Sequence, residues 1–533
     1  MQADYVIVGA GSAGCVLADR LSADGAEVIL LEAGPRDLHP MIHVPAGVLK
    51  LLKNPLVNWN YESEPQAGSG NRAIHWPRGR VLGGSSSING MLFVRGNPAD
   101  FDNWAQMGCR GWSYEACLPH FKAIESYAPG ESDFRGKDGP LRIEDYRTIL
   151  PLTHRFVEAA QQAGLPFAKD LSGATPAEGV GYSQMSRNGR FRGSTAQTFL
   201  RRARRRSNFR VLTNAVALRV LLDGRRATGV RVDQMGREID IRARREVIVS
   251  SGSVNSPHLL QVSGIGPAAH LQAIGVEVRH DLPGVGANLS DHYVARVSHR
   301  VKDAQSINEL SRGVRLAGEV VKWLATGRGA LTFGVSSAQA FWRSREGLAS
   351  PDVQLLFSPA SYDPSVFGAL EREPGATVAV SIARPESRGT IMARTADPYD
   401  RPVIRPNYLS APGDLRVIKA GIAQARRIFA QPAFAQHSVA EIVPGPDVRS
   451  DDALTEYVRA FGTTIYHPVG TCRMGEDPMA VVDSRLRVRG LSGLRVIDAS
   501  IMPLVTTGNT NAPTIMIADK GAAMIREDAR SEV

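Results

Sequence analysis

The 533-residue chain has only four cysteines, Cys15, Cys109, Cys117 and Cys472, and no two form a CxxC pair. That scarcity argues against a zinc ribbon, an iron–sulfur cluster and a disulfide-stapled secreted scaffold, and it fits reduced thiols in a cytoplasmic setting. No stretch offers about 18 uninterrupted apolar residues, so no transmembrane helix is expected, while peripheral contact with the inner face of the cytoplasmic membrane stays open. The strand-like run DYVIVGAG begins at residue 4, without the basic and apolar regions of a signal peptide. HExxH is absent and His258, His280 and His292 fall at no metal-ligand spacing, so no metal site is expected. Gly-x-Ser-x-Gly occurs in no strand–turn–helix setting, which leaves a hydrolase elbow unsupported.

What is present is an ordinary globular composition: 43% hydrophobic and 22% charged residues, with 52 Gly and 32 Pro but no long biased tract. At about 150 residues per domain the length allows three or four core-sized units. The net charge is +10, and arginines cluster at Arg201, Arg202, Arg204, Arg205 and Arg206 and again at Arg242, Arg244 and Arg245. Such runs suit nucleic acid or anionic lipid. No interleaved aromatics accompany them, so the expectation is a solvated surface and no nucleic-acid partner.

Periodicity predicts a βαβ opening, with strands at 5–8 and 27–31 around a helix at 12–21. A loop-rich stretch follows over 40–100, then helices at 113–125 and 153–163. Residues 209–250 read as a β-meander, with a separate buried strand from Val247 to Ser250. One helix is expected over 254–275, strands at 353–357 and 377–382, and helices near 414–430 and 451–461. The end of the chain repeats the opening logic, a buried strand at 494–497 and a helix over 513–526. Trp104, Trp112 and Tyr114 read as core.

Between the first strand and helix stands GAGSAG, with Gly9, Gly11, Ser12, Ala13 and Gly14. Gly9 permits a tight turn, Gly11 lets backbone approach a pyrophosphate, and Gly14 allows close helix–strand packing. The helix N-terminus then offers unpaired N–H groups to the phosphates. Glu32, followed by Ala33, ends the second strand 18 residues after Gly14, where a carboxylate accepts from both ribose hydroxyls. Strand, helix and acid in one register point to a dinucleotide, NAD or FAD. A second glycine-rich stretch carries Gly83, Gly84 and Ser85, whose small side chains suit either a phosphate or flavin lining or a plain turn.

That second stretch, GRVLGGSSSINGMLFVRGNPADFD at 79–102, resembles the first signature of the glucose–methanol–choline (GMC) flavin oxidoreductases. GSVNSPHLLQVSGIG at 252–266 is similar to the second. LPGVGANLSDH at 282–292, YHPVGTCRMG at 466–475 and VIDASIMP at 496–503 with GNTNAPT at 508–514 match the family's remaining pattern, closest to its bacterial alcohol and choline dehydrogenase branch. The resemblance implies an α/β fold: a Rossmann-type FAD-binding domain with an inserted α+β substrate domain containing an antiparallel sheet. The FAD-binding domain is expected from segments 1–155, 206–300 and 461–533, the substrate domain from 156–205 and 301–460. It implies hydride transfer from an alcohol carbon to flavin N5, with His467 as the base and Asn509 orienting the alcohol oxygen. Asn511 is expected against the flavin, as are Asn89, Gly90, Met91 and Leu92. Val216 is expected at the adenine, and Asp498 and Ala499 at the pyrophosphate and ribityl chain. Residues 79–102 contain no histidine, which implies non-covalent FAD where some relatives carry a covalent link.

The expected reaction is oxidation of a primary alcohol to the aldehyde, with electrons passed to a quinone or another acceptor. Rivals are an oxidase using O2, a choline dehydrogenase and a flavin-containing lyase resembling the hydroxynitrile lyases. Ser337 stands where choline-active relatives are expected to place a glutamate, which favours a neutral, fairly apolar alcohol.

Overall fold

The computed structural model describes residues 1–131, 133–173, 178–363 and 368–531. Two large sheets organise them. The first is built from the opening strand Gln2–Val8, whose apolar run is covered on both faces. It pairs in parallel with Val28–Glu32 on one side, which in turn pairs with Phe209–Thr213. On its other side runs the strand Arg237–Val249, which pairs in parallel with both Gln2–Val8 and Leu494–Val496. The strands Ala215–Asp223 and Arg226–Gln234 complete the sheet as an antiparallel meander.

The expected separate strand from Val247 is therefore the second half of one 13-residue strand. Its pattern changes from alternating to continuously apolar because its surroundings change. The first half borders the meander and stays partly exposed, whereas Val247, Ile248 and Val249 lie between two parallel neighbours. The helix expected over 254–275 is likewise two, Gly252–Val262 and Ala268–Ala273. Gly264 breaks it with φ +82°, and Ile265–Gly266 then pairs with His280–Asp281.

The second sheet is antiparallel. Its order is Ser438–Val443, Tyr293–Val301, Gly375–Ile382, Val353–Ser358, Ala338–Trp342 and Gly179–Tyr182, with Thr463–Thr464 beside Tyr293. Alternate residues (Val297, Val378, Val380, Leu355, Phe357) form one core face against the helices Pro151–Gln162 and Pro412–Phe429. Phe156 stacks on Phe357 at 4.3 Å, and Gly421 lets its helix press onto the sheet, since a Cβ there would meet Val380 Cγ1 at 2.4 Å. The other face looks back toward the first sheet. Three expected segment edges fall inside elements: 155/156 in the helix Pro151–Gln162, 300/301 in the strand Tyr293–Val301 of the antiparallel sheet, and 460/461 in the helix Asp451–Phe461.

Trp104 and Trp112 are fully buried, and all four cysteines are buried and unpaired. The Arg201–Arg206 run is partly structural: Arg206 and Arg202 reach the buried carboxylate of Asp19. No helix among the described residues is long and apolar enough to cross a membrane.

The opening turn rests on a backbone contact that tolerates no side chain. A Cβ on Gly14 would sit 1.9 Å from the Gly9 carbonyl oxygen. Gly14→Ala is expected to cost about 1–3 kcal/mol by forcing helix and strand apart, read as a lower thermal midpoint; an unchanged midpoint would contradict this packing.

Candidate active site

The first sheet ends in a cleft of about 770 Å3, roofed by the open face of the second. At its floor the helix Ser12–Ser22 begins at Gly11 with no side-chain cap, so its first N–H groups face the cavity. The C-terminal helix Asn511–Ser531 starts beside it, and Ser12 Oγ donates to Asn511 Oδ1 at 2.7 Å. Two helix N-termini, 499 positions apart in sequence, thus converge on one point.

Glu32 closes one end of the cleft, near Ala33 and Val216. Its oxygens accept from Ala10 N at 3.0 Å and Gly34 N at 2.8 Å. Burial pushes the carboxyl up to about 7 against the pull of these two amides. His258 lines the cleft too. It is buried, its Nε2 has no hydrogen-bond partner among the described residues, and burial lowers its pKa to about 4.

The loop Gly79–Leu92 forms a wall. A Cβ on Gly84 would lie 2.7 Å from Gly11 Cα, so the two glycine-rich segments touch backbone to backbone. Gly84, Ser85, Asn89, Gly90, Met91 and Leu92 line the cleft. Gly14 and Gly83 do not; they sit behind it, Gly83 donating its N–H to Ala10 O at 2.8 Å. Met91 holds φ +63°, a strained value for a side-chain-bearing residue, secured by Met91 N donating to Asn89 Oδ1 at 3.0 Å. The buried Arg192 donates to Asn89 O, Asn89 Oδ1 and Ile42 O, pinning this wall. Asp498 also lines the cleft, but its oxygens accept from Gly252 N, Ser256 Oγ and Ser500 N. They tie the last strand to the Gly252–Val262 helix.

At the far end His467 and Asn509 meet, with His467 Nε2 3.2 Å from Asn509 Nδ2. Asn509 Oδ1 accepts from Gln354 Nε2 at 3.4 Å, and Gln354 is itself linked to Gln339 and thence to Ser183. The amide is thereby oriented with its N–H toward the imidazole. His467 Nδ1 lies 2.9 Å from Nδ1 of the fully buried His292, whose Nε2 lies 3.1 Å from the Ala383 carbonyl. Burial lowers the His292 pKa to about 4, so this ring is neutral and carries one proton. A carbonyl only accepts; the His292 proton is therefore on Nε2 and its Nδ1 is bare. His467 must then donate from Nδ1, which leaves its own Nε2 as a lone pair facing Asn509 and the cleft. Burial, then His292 and Arg78, hold His467 well below its ordinary 6.5.

The backbone is clamped to match. Asp291 Oδ1 accepts from His467 N at 2.8 Å, while Oδ2 accepts from Thr464 Oγ1 and Tyr408 OH. Arg78 donates to Tyr466 O at 2.6 Å, and Tyr466 is held at φ +70°. Sequence reasoning passed over Asp291, His292, Arg192 and Gln354. For the first two a signal existed, the LSDH ending the third matching motif. Ser337, just before the strand Ala338–Trp342, does not line the cleft; its hydroxyl and that of Thr153 are hydrogen-bonded at 2.8 Å.

Comparison with known proteins decides what kind of site this is. GMC oxidoreductase family models match residues 3–294 and 385–518. The chain belongs to the GMC oxidoreductase family. Membership makes it an oxidoreductase acting on CH–OH groups, with a Rossmann-type unit and a substrate unit. It is 43% identical to an oxygen-dependent choline dehydrogenase of Photobacterium profundum, over 98% of this chain and 92% of that protein. It is equally 43% identical to an alcohol dehydrogenase [acceptor] of Pseudomonas putida, over 98% and 95%. Among solved GMC-like structures, pyridoxine 4-oxidase from Mesorbium loti superimposes with TM-score 0.89 at 31% identity, covering 98% and 99%. Formate oxidase of Aspergillus oryzae gives 0.92 at 25%, covering 99% of each.

His292→Phe keeps a planar ring but leaves the His467 Nδ1–H without an acceptor. We expect a loss of about 1–3 kcal/mol in denaturant unfolding and alcohol oxidation slowed roughly a hundredfold. Full stability and rate would show that the histidine pair is idle.

Proposed function

We propose that this protein binds FAD without a covalent link and uses it to oxidise a primary alcohol to the aldehyde, the electrons passing on to a quinone or another acceptor. The observation that carries this reading is the bare Nε2 of His467, held 3.2 Å from the Asn509 amide at the end of the cleft.

The cleft suits the cofactor on its own features. Two helix N-termini and backbone-only contacts between Gly11 and Gly84 fit a pyrophosphate, and the unpartnered His258 Nε2 and the Glu32 carboxyl offer polar groups to an adenosine end. Ser12, Ala13 and Ala499 would flank the phosphates, Val216 the adenine, and Asn89 to Leu92 with Asn511 the ring system. The FAD unit is read from the segments expected at 1–155, 206–300 and 461–533 and the substrate unit from 156–205 and 301–460, with the edges moved so that the helix Pro151–Gln162, the strand Tyr293–Val301 and the helix Asp451–Phe461 stay whole in the substrate unit. The absence of histidine from 79–102 supports the non-covalent reading.

FAD, when bound, supplies the acceptor for a hydride. The chain's own part is proton chemistry and positioning. His467 Nε2 takes the O–H proton, and Asn509 Nδ2 donates to the alcohol oxygen as its charge grows. The 3.2 Å between these nitrogens lets one oxygen reach both. Because the imidazole is poised neutral by burial, no proton need leave it first. A quaternary-ammonium alcohol is the second reading, favoured by the choline dehydrogenases among the relatives.

Anaerobic flavin reduction tests the assignment. His467→Ala should keep bound flavin and be reduced about 10²–10⁴-fold more slowly. A protonated His467 cannot accept, so the wild-type rate should fall only on the acid side, with its limb below pH 6.5. Near-normal reduction of the variant, or a limb centred above pH 7, would refute the base.

A further inference from the structure

Strand register fixes what the open face of the antiparallel sheet carries above the cleft. Arg296 lies opposite Ala379, Ala379 opposite Leu356, and Thr377 opposite Ser358. Leu356, Ser358, Thr377 and Ala379 all line the cleft and are small or uncharged. Arg296 is the charged exception, exposed into that space. Its backbone is used by Tyr457, but its guanidinium makes no ion pair and no hydrogen bond among the described residues. The ring of Tyr362 lies 5.5 Å from its guanidinium carbon. Tyr466, next to His467 in the chain, lines the same stretch and feels the Arg296 charge.

The surrounding charges reinforce the sign. Arg72 and Arg78 also line the cleft, each donating to backbone carbonyls: Arg459 and Gly462 for the first, Pro77 and Tyr466 for the second. The cleft's other carboxylates, Glu32 and Asp498, hold backbone amides in the first sheet's half. Asp363, after Tyr362, is the one acid on this stretch among the described residues, and it has contacts of its own. Three guanidiniums against one engaged carboxylate repel a quaternary ammonium. A guanidinium with a free fork is matched by a carboxylate or phosphate, which it binds bidentately.

We propose that Arg296 recognises an anionic group on the substrate, so that the preferred alcohol is one carrying a carboxylate or phosphate rather than choline. This rests on the alcohol-oxidation reading above and narrows its substrate. The step balances as for any primary alcohol. The O–H proton goes to His467 Nε2, the carbon loses a hydride with the bound flavin as oxidant, and the product is an aldehyde bearing the same anion.

The test uses the flavin-loaded enzyme under anaerobic conditions, with hydroxyalkanoates of three to six carbons, matched neutral alkanols, a glycol monophosphate and choline. Flavin reduction should be at least tenfold more efficient with an anionic alcohol than with its neutral match, and choline should be the poorest. The two anionic arms tell carboxylate from phosphate. In Arg296→Gln the anionic-to-neutral ratio should collapse at least tenfold, and Arg296→Lys should restore part of it. Binding of non-reacting butyrate or inorganic phosphate, followed through the flavin spectrum, should weaken tenfold in Arg296→Gln. A wild-type enzyme that prefers neutral alcohols or choline, or a ratio untouched by Arg296→Gln, would overturn the proposal while leaving alcohol oxidation intact. Failure of every alcohol to reduce the flavin would instead overturn the underlying reading.

Discussion

One hydrogen bond to a backbone carbonyl sets the chemistry of this site. The Ala383 oxygen accepts from His292 Nε2 and cannot do otherwise, so the remaining proton positions follow in sequence. Burial enforces the outcome by making a charged imidazole costly at both rings. The result is a lone pair at His467 Nε2 without any carboxylate beside the imidazole itself. Asp291, which might have supplied one, is turned to the backbone and grips His467 N instead. A carboxylate on the ring would raise the His467 pKa; a neutral histidine holds the tautomer without doing so.

The fold brings these groups together by closing the chain on itself. The strand Leu494–Val496 joins the opening βαβ unit through Arg237–Val249, which delivers Asn509 and Asn511 to the site begun by Gly9 and Gly11. The antiparallel sheet contributes from above: Tyr293–Val301 follows directly on Asp291 and His292, and Val353–Ser358 carries Gln354 to the Asn509 amide. One face of that sheet is apolar and anchored on helices, which leaves the other free to carry polar specificity groups. On the proposed reading, proton transfer is placed at the junction of the sheets and substrate choice on the open face.

Much of this was legible in the residues. GAGSAG with Glu32 marks a strand–turn–helix because glycine spacing and buried strand composition are local properties. The elements at 353–357, 377–382 and 451–461 follow from periodicity in the same way. What the chain does not announce locally was missed. Arg237–Val249 changes its pattern where its neighbours change, and the helix from Gly252 stops before Gly264, which holds φ +82° with the Glu277 carbonyl oxygen 2.4 Å from where a Cβ would sit. That Ser337 packs against Thr153 and away from the cleft is set by tertiary packing and is not visible in its own sequence neighbourhood. His292 looks like any buried histidine until Ala383 and His467, distant in sequence, are seen on its two nitrogens.

The most direct measurement is the 15N spectrum of the enzyme with labelled histidine, assigned through His292→Phe and His467→Ala. The account predicts a protonated Nδ1 and an unprotonated Nε2 on His467 at pH 7, and the reverse pair on His292. A proton on His467 Nε2, or an imidazolium at either ring, would contradict it.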